Sequence, residues 1–246
     1  RSSSNLTRPL SPGEVFVLSA GMGADAHGRQ PARGDGGARL RRVGTLLDRE
    51  ATLVPALRAL RERHGGEFDP EVLLRRYLAM YFRDTLVTGP HTPFKEISRR
   101  ALAYRLDQLG LDVPDEEVRA VIREWKELEA YPDIDAALGE LGEEYELVGL
   151  SNGDPDMLEA VRPNFDVELD AMVSVAEAGA YKSHRATYDR CLKRVGVTPQ
   201  QALFVSSRTF DLVGTKAVGM RGAFLNRHEN PPPAAGPVDP TSSSTT

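Results

Sequence analysis

A chain of 246 residues with 40% hydrophobic content is long enough for one large domain, or for a domain that carries an insertion, and it can fill a core. A formal charge of −5 gives no basic surface for nucleic acid or an anionic membrane. The single cysteine, Cys191, excludes an internal disulfide framework and fits a reducing, cytoplasmic setting, where it reads as core filler. No apolar run approaches the ~20 residues of a membrane span, and the first residues lack the layout of a signal peptide.

Residues 1–42 are rich in Arg, Gly, Ala, Ser, Asp and Pro, and Val15-Phe-Val-Leu18 is their one strand-like run. Such a segment buries too little surface to offset its ordering entropy, so an atypical, disordered tail is expected. Order is expected from Val43-Gly-Thr-Leu-Leu-Asp48 onward. Val54, Leu57 and Leu60 mark a helical face that ends at His64-Gly65-Gly66. Asp69-Pro70 opens a second helix, with Asp as N-cap and Pro at the first helical position. A third runs through Ile97, Leu102, Leu106 and Leu109, and a fourth from Asp115 through Trp125 and Leu128. Residues 51–130 thus read as a strand-free helical insertion.

From Tyr131 the rhythm changes to alternating helices and strands. Strands are expected at Leu147–Leu150, Ala171–Val175, Ala202–Val205 and Ala223–Asn226, separated by helices. That alternation implies right-handed βαβ units and a parallel sheet. The expected fold is therefore α/β, a Rossmann-like doubly wound parallel sheet with a helical cap inserted after the first strand. Its boundaries are a core of 43–50 and 131–230, a cap of 51–130, and disordered tails at 1–42 and 231–246.

In Glu146-Leu-Val-Gly-Leu-Ser-Asn-Gly-Asp-Pro155 an apolar strand stops in a small polar turn before a helix. Such a turn lies at the C-terminal edge of the sheet, where open α/β sheets bind ligands. Ser151 and the N–H groups after it can hold an anion there, although an ordinary βα loop with an N-cap has the same look. Two further loops share that edge. One is Ala180-Tyr181-Lys182-Ser183-His184, with Tyr188 six residues past the lysine; the other is Val205-Ser-Ser-Arg-Thr-Phe-Asp211. Lys182 can neutralise an anionic nucleophile or substrate, or be a solvated loop lysine. Ser206 and Asp211 can serve chemistry or form a helix-capping pair, and Tyr188 alone reads as packing.

Together with Gly44-Thr45-Leu46-Leu47-Asp48, these loops resemble the haloacid dehalogenase superfamily, closest to its type II (S)-2-haloacid dehalogenases. The resemblance runs from Val43 to about Arg227. It implies that an aspartate attacks the halogen-bearing carbon of a small 2-haloalkanoic acid, forming an ester that water hydrolyses. It also implies catalytic roles for Lys182, Asp211, Ser206 and Ser151, and substrate contacts from Thr45, Asn152, Tyr188 and Arg208. Arg75 is the candidate arginine of the cap, with Arg76 its competitor. No metal or other cofactor is expected: Ser206 and Val43 stand where phosphatases of the superfamily carry magnesium-binding carboxylates, and Asp211 alone makes a poor site for Mg²⁺. The expected partner is a small-molecule substrate, with no nucleic acid or membrane, and a homodimer is a further option.

Two positions depart from the pattern. Arg208 replaces an asparagine. The nucleophile, three residues before Gly44, falls on Arg41, whose guanidinium stays protonated. Another hydrolase or phosphatase of the superfamily, or a non-catalytic relative binding through the same cleft, is the alternative. A misread frame up to Arg42 would account for Arg41: codons for Leu40-Arg41-Arg42 exist that, read one base later, give Tyr-Asp-Val. The nucleotide sequence of the locus decides this, and a shifted frame without aspartate at that position removes the idea.

Overall fold

The computed structural model describes residues 14–19, 44–88, 92–227 and 243–244. Its centre is a parallel sheet. The strands are β1 (Val15–Ser19), β2 (Glu146–Ser151), β3 (Ala171–Ser174), β4 (Ala202–Ser206), β5 (Arg221–Leu225) and a two-residue β6 (Ser243–Ser244), in the order β3-β2-β1-β4-β5-β6. Every pairing is parallel, with β1 matched to β2 from Val15↔Glu146 to Ser19↔Leu150 and to β4 from Val15↔Ala202 to Leu18↔Val205.

The middle of the sheet therefore comes from the stretch expected to be disordered. A central parallel strand is covered on both faces and needs a continuous apolar run. Val15-Phe-Val-Leu18 provides one, with Val15, Val17 and Leu18 buried. Residues 44–48, expected to be that strand, form a turn instead. A Cβ on Gly44 would lie 2.3 Å from the Leu47 carbonyl oxygen, so the chain folds back too tightly there for a strand. The expected tail at 231–246 is likewise corrected at Ser243–Ser244, which pairs with Phe224 and Leu225. The rest of 1–13, 20–43 and 228–246 lies outside the described residues, and Arg41 with it.

From Arg49 to β2 the described residues are mainly helical. Helices α1 (Arg49–His64), α2 (Pro70–Val87), α3 (Phe94–Asp107) and α4 (Asp115–Arg123) pack in sequence, followed by a 3₁₀ turn at Glu124–Lys126. Local signals set their ends. The Asp48 carboxylate accepts from Ala51 N at 3.1 Å, and that of Asp69 from Glu71 N at 2.8 Å, ahead of Pro70. The block is closed at its base by a bridge between Leu47 and Ala130, where Asp48 N donates to Glu129 O and Tyr131 N to Leu46 O, both at 2.9 Å.

Inside the block, Trp125 Nε1 donates to the Tyr77 hydroxyl at 3.1 Å, and that hydroxyl also pairs with Ser98. Phe94 meets Tyr81 and Trp125 edge-on. The remaining helices α5 (Ile134–Gly142), α6 (Pro155–Val161), α7 (Arg185–Val195) and α8 (Thr209–Val218) flank the sheet. Asp154 precedes Pro155, but its carboxylate caps a different helix: it accepts from Phe94 N at 2.8 Å and Lys95 N at 3.1 Å, tying the start of α3 to the sheet edge. Among the described residues no helix is long and apolar enough to cross a membrane.

Candidate active site

The first four strands, β1 to β4, end in serine: Ser19, Ser151, Ser174 and Ser206. A short side chain that can hydrogen-bond suits a strand end where loops converge, and each of these is buried. Ser174 Oγ donates to the Gly153 carbonyl at 2.7 Å, and Ser151 Oγ accepts from Gly153 N at 3.1 Å, so both brace the turn after β2. Ser206 Oγ donates to Asp211 Oδ2 at 2.8 Å and accepts from Arg208 N at 3.0 Å.

Ser19 has different surroundings. Its hydroxyl accepts from Lys182 Nζ at 2.8 Å and donates to Asp211 Oδ2 at 2.9 Å. Lys182 also donates to the Leu150 carbonyl at 3.1 Å, lies 3.5 Å from Asp211 Oδ2, and stands over the Phe204 ring at 5.8 Å. The lysine is 2% exposed and the aspartate 0%, so water screens neither charge. Burial pushes the Lys182 amine below its ordinary range, outweighing the attraction of Asp211, while nearby Arg208 pushes the same way. Asp211 Oδ1 is buried without a hydrogen-bond partner among the described residues.

The loops are fixed around this cluster. Lys182 N donates to Asn152 Oδ1 at 3.2 Å, which joins the turn after β2 to the lysine loop. Thr45 Oγ1 accepts from Ser207 N at 3.0 Å and lies 3.2 Å from Ser207 Oγ, joining the 44–48 turn to the end of β4. A cavity of about 550 Å³ opens between the end of α2 (Thr85, Leu86), the following Thr88 and the loop carrying Lys182 and His184; Lys182 is the cluster residue in its lining.

Lys182, Asp211 and Ser206 thus share one cluster, with Ser151, Asn152 and Thr45 bonded into the loops that frame it. Arg208 is buried close to Lys182. Tyr188, expected to contact substrate, packs beneath the site: its hydroxyl donates to the Asp211 backbone carbonyl at 3.1 Å and its ring meets Phe204 edge-on. Gly214 makes room for it, since a Cβ there would sit 2.4 Å from the tyrosine ring.

Arg75 is not brought to the site. It lies exposed on α2, as does Arg76, because Leu74, Tyr77 and Leu78 take the buried face of that helix. The buried arginine of the helical block is Arg49, fully enclosed; burial raises the phenols of Tyr77, Tyr81 and Tyr131, and nearby Arg49 offsets a small part of that rise. Neither Arg49 nor Ser19 was singled out in the sequence. Ser19 had a readable signal: Phe16-Val-Leu-Ser-Ala-Gly21 repeats the apolar-to-Ser-x-Gly ending of Leu147-Val-Gly-Leu-Ser-Asn-Gly153.

A model of the haloacid dehalogenase-like hydrolase family matches residues 43–219. The (S)-2-haloacid dehalogenase of Xanthobacter autotrophicus is 36% identical over 187 residues, 75% of this chain and 72% of that protein. Haloacetate dehalogenase H-2 of a Moraxella species is 31% identical over 67% of this chain and 75% of its own length. A solved structure of the Xanthobacter L-2-haloacid dehalogenase with chloropropionic acid covalently bound superposes with a TM-score of 0.66, at 28% identity, over 86% of this chain and 77% of that one. The crystal structure of another L-2-haloacid dehalogenase gives a TM-score of 0.76 at 25% identity, over 95% and 94%. With a family model matching well over half its length, and curated dehalogenases among its relatives, the chain belongs to the haloacid dehalogenase-like hydrolases.

Proposed function

We propose that this scaffold is built for hydrolytic dehalogenation of small 2-haloalkanoic acids, with the helical block as a cap over the strand ends and Lys182 as the cation of the reaction. The observation carrying this reading is the Lys182 amine, buried and aimed at the last residue of the central strand, 2.8 Å from Ser19 Oγ. A carboxylate held there would gain a charge-assisted bond in a water-poor site. Its oxygen would displace halide from the substrate carbon, the halide leaving with the bonding pair. Water would then open the resulting ester at its carbonyl, giving the hydroxy acid and returning the carboxylate. Asp211 and Ser206 would hold the lysine and the strand end in place.

Ser19 alters the outcome. A serine oxygen displacing halide forms an ether, which water does not cleave, so this chain is expected not to turn over 2-haloacids. Ser19→Asp supplies the missing carboxylate. The variant is expected to release chloride from 2-chloropropionate, and to lose that activity when Lys182→Ala is added. A folded Ser19→Asp protein that releases no chloride would favour a superfamily hydrolase for another substrate or a non-catalytic binding role.

A further inference from the structure

We propose that Ser19 is itself a nucleophile, and that this chain hydrolyses small activated carboxylic esters through an ester on the Ser19 oxygen. A hydroxyl becomes a useful nucleophile when a base within hydrogen-bond reach takes its proton and a neighbouring group orients that base. Ser19 has this arrangement. Its O–H points at Asp211 Oδ2, 2.9 Å away, and its oxygen is held by Lys182 Nζ at 2.8 Å. Asp211 is oriented in turn by Ser206 and by Lys182. Its other oxygen, Oδ1, is buried with no hydrogen-bond partner among the described residues, so the carboxylate has acceptor capacity left for a proton in transit.

The serines that end β2, β3 and β4 are each engaged with backbone. Ser151 and Ser174 brace the turn at Gly153, and Ser206 accepts from Arg208 N. Among the described residues the Ser19 hydroxyl bonds to two ionisable side chains, an environment that serves proton transfer better than loop bracing. Lys182 also lines a cavity of about 550 Å³, a volume large enough for a small acyl group and its leaving group.

In the acylation step Ser19 Oγ bonds to the ester carbonyl carbon, and its proton passes to Asp211 Oδ2. The bond to the leaving oxygen then breaks, and that oxygen either takes the proton from Asp211 and departs as an alcohol or departs as the phenolate of an activated ester, in which case Asp211 gives its proton to solvent before deacylation. In deacylation a water oxygen bonds to the same carbon and gives a proton to Asp211. The carbon–Oγ bond breaks, Oγ recovers the proton, and a carboxylic acid leaves. Lys182 stabilises the charge on Oγ in both steps. Nothing is oxidised or reduced.

The test uses the full chain and p-nitrophenyl acetate. The expected result is a burst of p-nitrophenolate and, after acid quenching, one acetyl group mapped by mass spectrometry to the peptide containing Ser19. Ser19→Ala is expected to lose the burst, Ser19→Cys to recover acetylation at the same position, and Asp211→Asn to slow it about 100-fold, with folding of each checked by circular dichroism. Folded wild-type chain that takes up no acetyl group at Ser19, or acetylation confined to surface lysines, overturns the proposal. Mapping on the wild-type chain decides it even if a variant fails to fold. The chloride assay of Ser19→Asp is separate, so either reading can fail while the other stands.

Discussion

At the scale of residues, the site is a buried lysine and a buried aspartate with a serine between them. Two desolvated charges are stable together and costly apart. Lys182→Met would leave Asp211 buried beside two serines with no cation at 3.5 Å. This substitution is expected to cost about 3–5 kcal/mol, read as a lower urea midpoint at unchanged m-value. Adding Asp211→Asn should recover much of the loss, because the stranded charge is then gone; a double variant as unstable as the sum of the single changes would show that the two groups are not coupled. Cys191 illustrates the contrary case. Burial pushes its thiol up to about 12, so the chain's one thiol is packing material beneath the site rather than a nucleophile.

At the scale of elements, the contacts that join the helical block to the sheet domain include the bridge at Leu47 and Ala130 and the start of α3. Asp154 holds the first two amides of α3, and Asp156 pairs with Lys95 at 2.8 Å and Lys126 at 2.6 Å. Further along α3, Glu96 bonds Arg99 and Arg100 at 2.9 and 2.6 Å. The Arg99 hydrogen bond is the chief cause that lowers the Glu96 carboxyl from 4.5 to about 2. A carboxyl depressed on folding adds stability that is complete above its unfolded value and disappears as pH falls through its folded one. Glu96→Gln is therefore expected to cost at most about 1 kcal/mol at neutral pH, since the group is partly exposed. The gap between variant and wild type should narrow from pH 4.5 and close near pH 2 in thermal melts. A gap that persists unchanged at acid pH would mean the glutamate acts through packing instead.

At the scale of the whole molecule, everything rests on a five-residue strand at the middle of the sheet. Val17 is fully buried between β2 and β4. A charge there has no partner and costs several kcal/mol, a large share of a typical total of about 5–15 kcal/mol. Val17→Asp is expected to abolish cooperative unfolding and the near-ultraviolet dichroism of Trp125. The same substitution at Val87, 75% exposed at the end of α2, should change stability by less than about 0.5 kcal/mol. A folded Val17→Asp protein would show that the sheet does not depend on β1.

The sequence by itself determined the alternation from Tyr131 onward, the helical character of the stretch read as 51–130, and the loops carrying Ser151, Lys182 and Asp211. Those features follow from local periodicity and from turn residues at strand ends, which neighbouring residues fix. Tertiary structure decided what local pattern cannot carry. Val15–Ser19 is a short apolar run in a polar stretch, and only its pairing with Glu146–Leu150 and Ala202–Val205 makes it the central strand. The same holds for arginine: Arg75 and Arg49 differ in burial because of how α1 and α2 turn toward their neighbours, not because of their flanking residues. And Ser19 became the residue facing Lys182 because parallel register brings the ends of strands distant in sequence to one edge, where a buried amine selects whichever side chain is level with it.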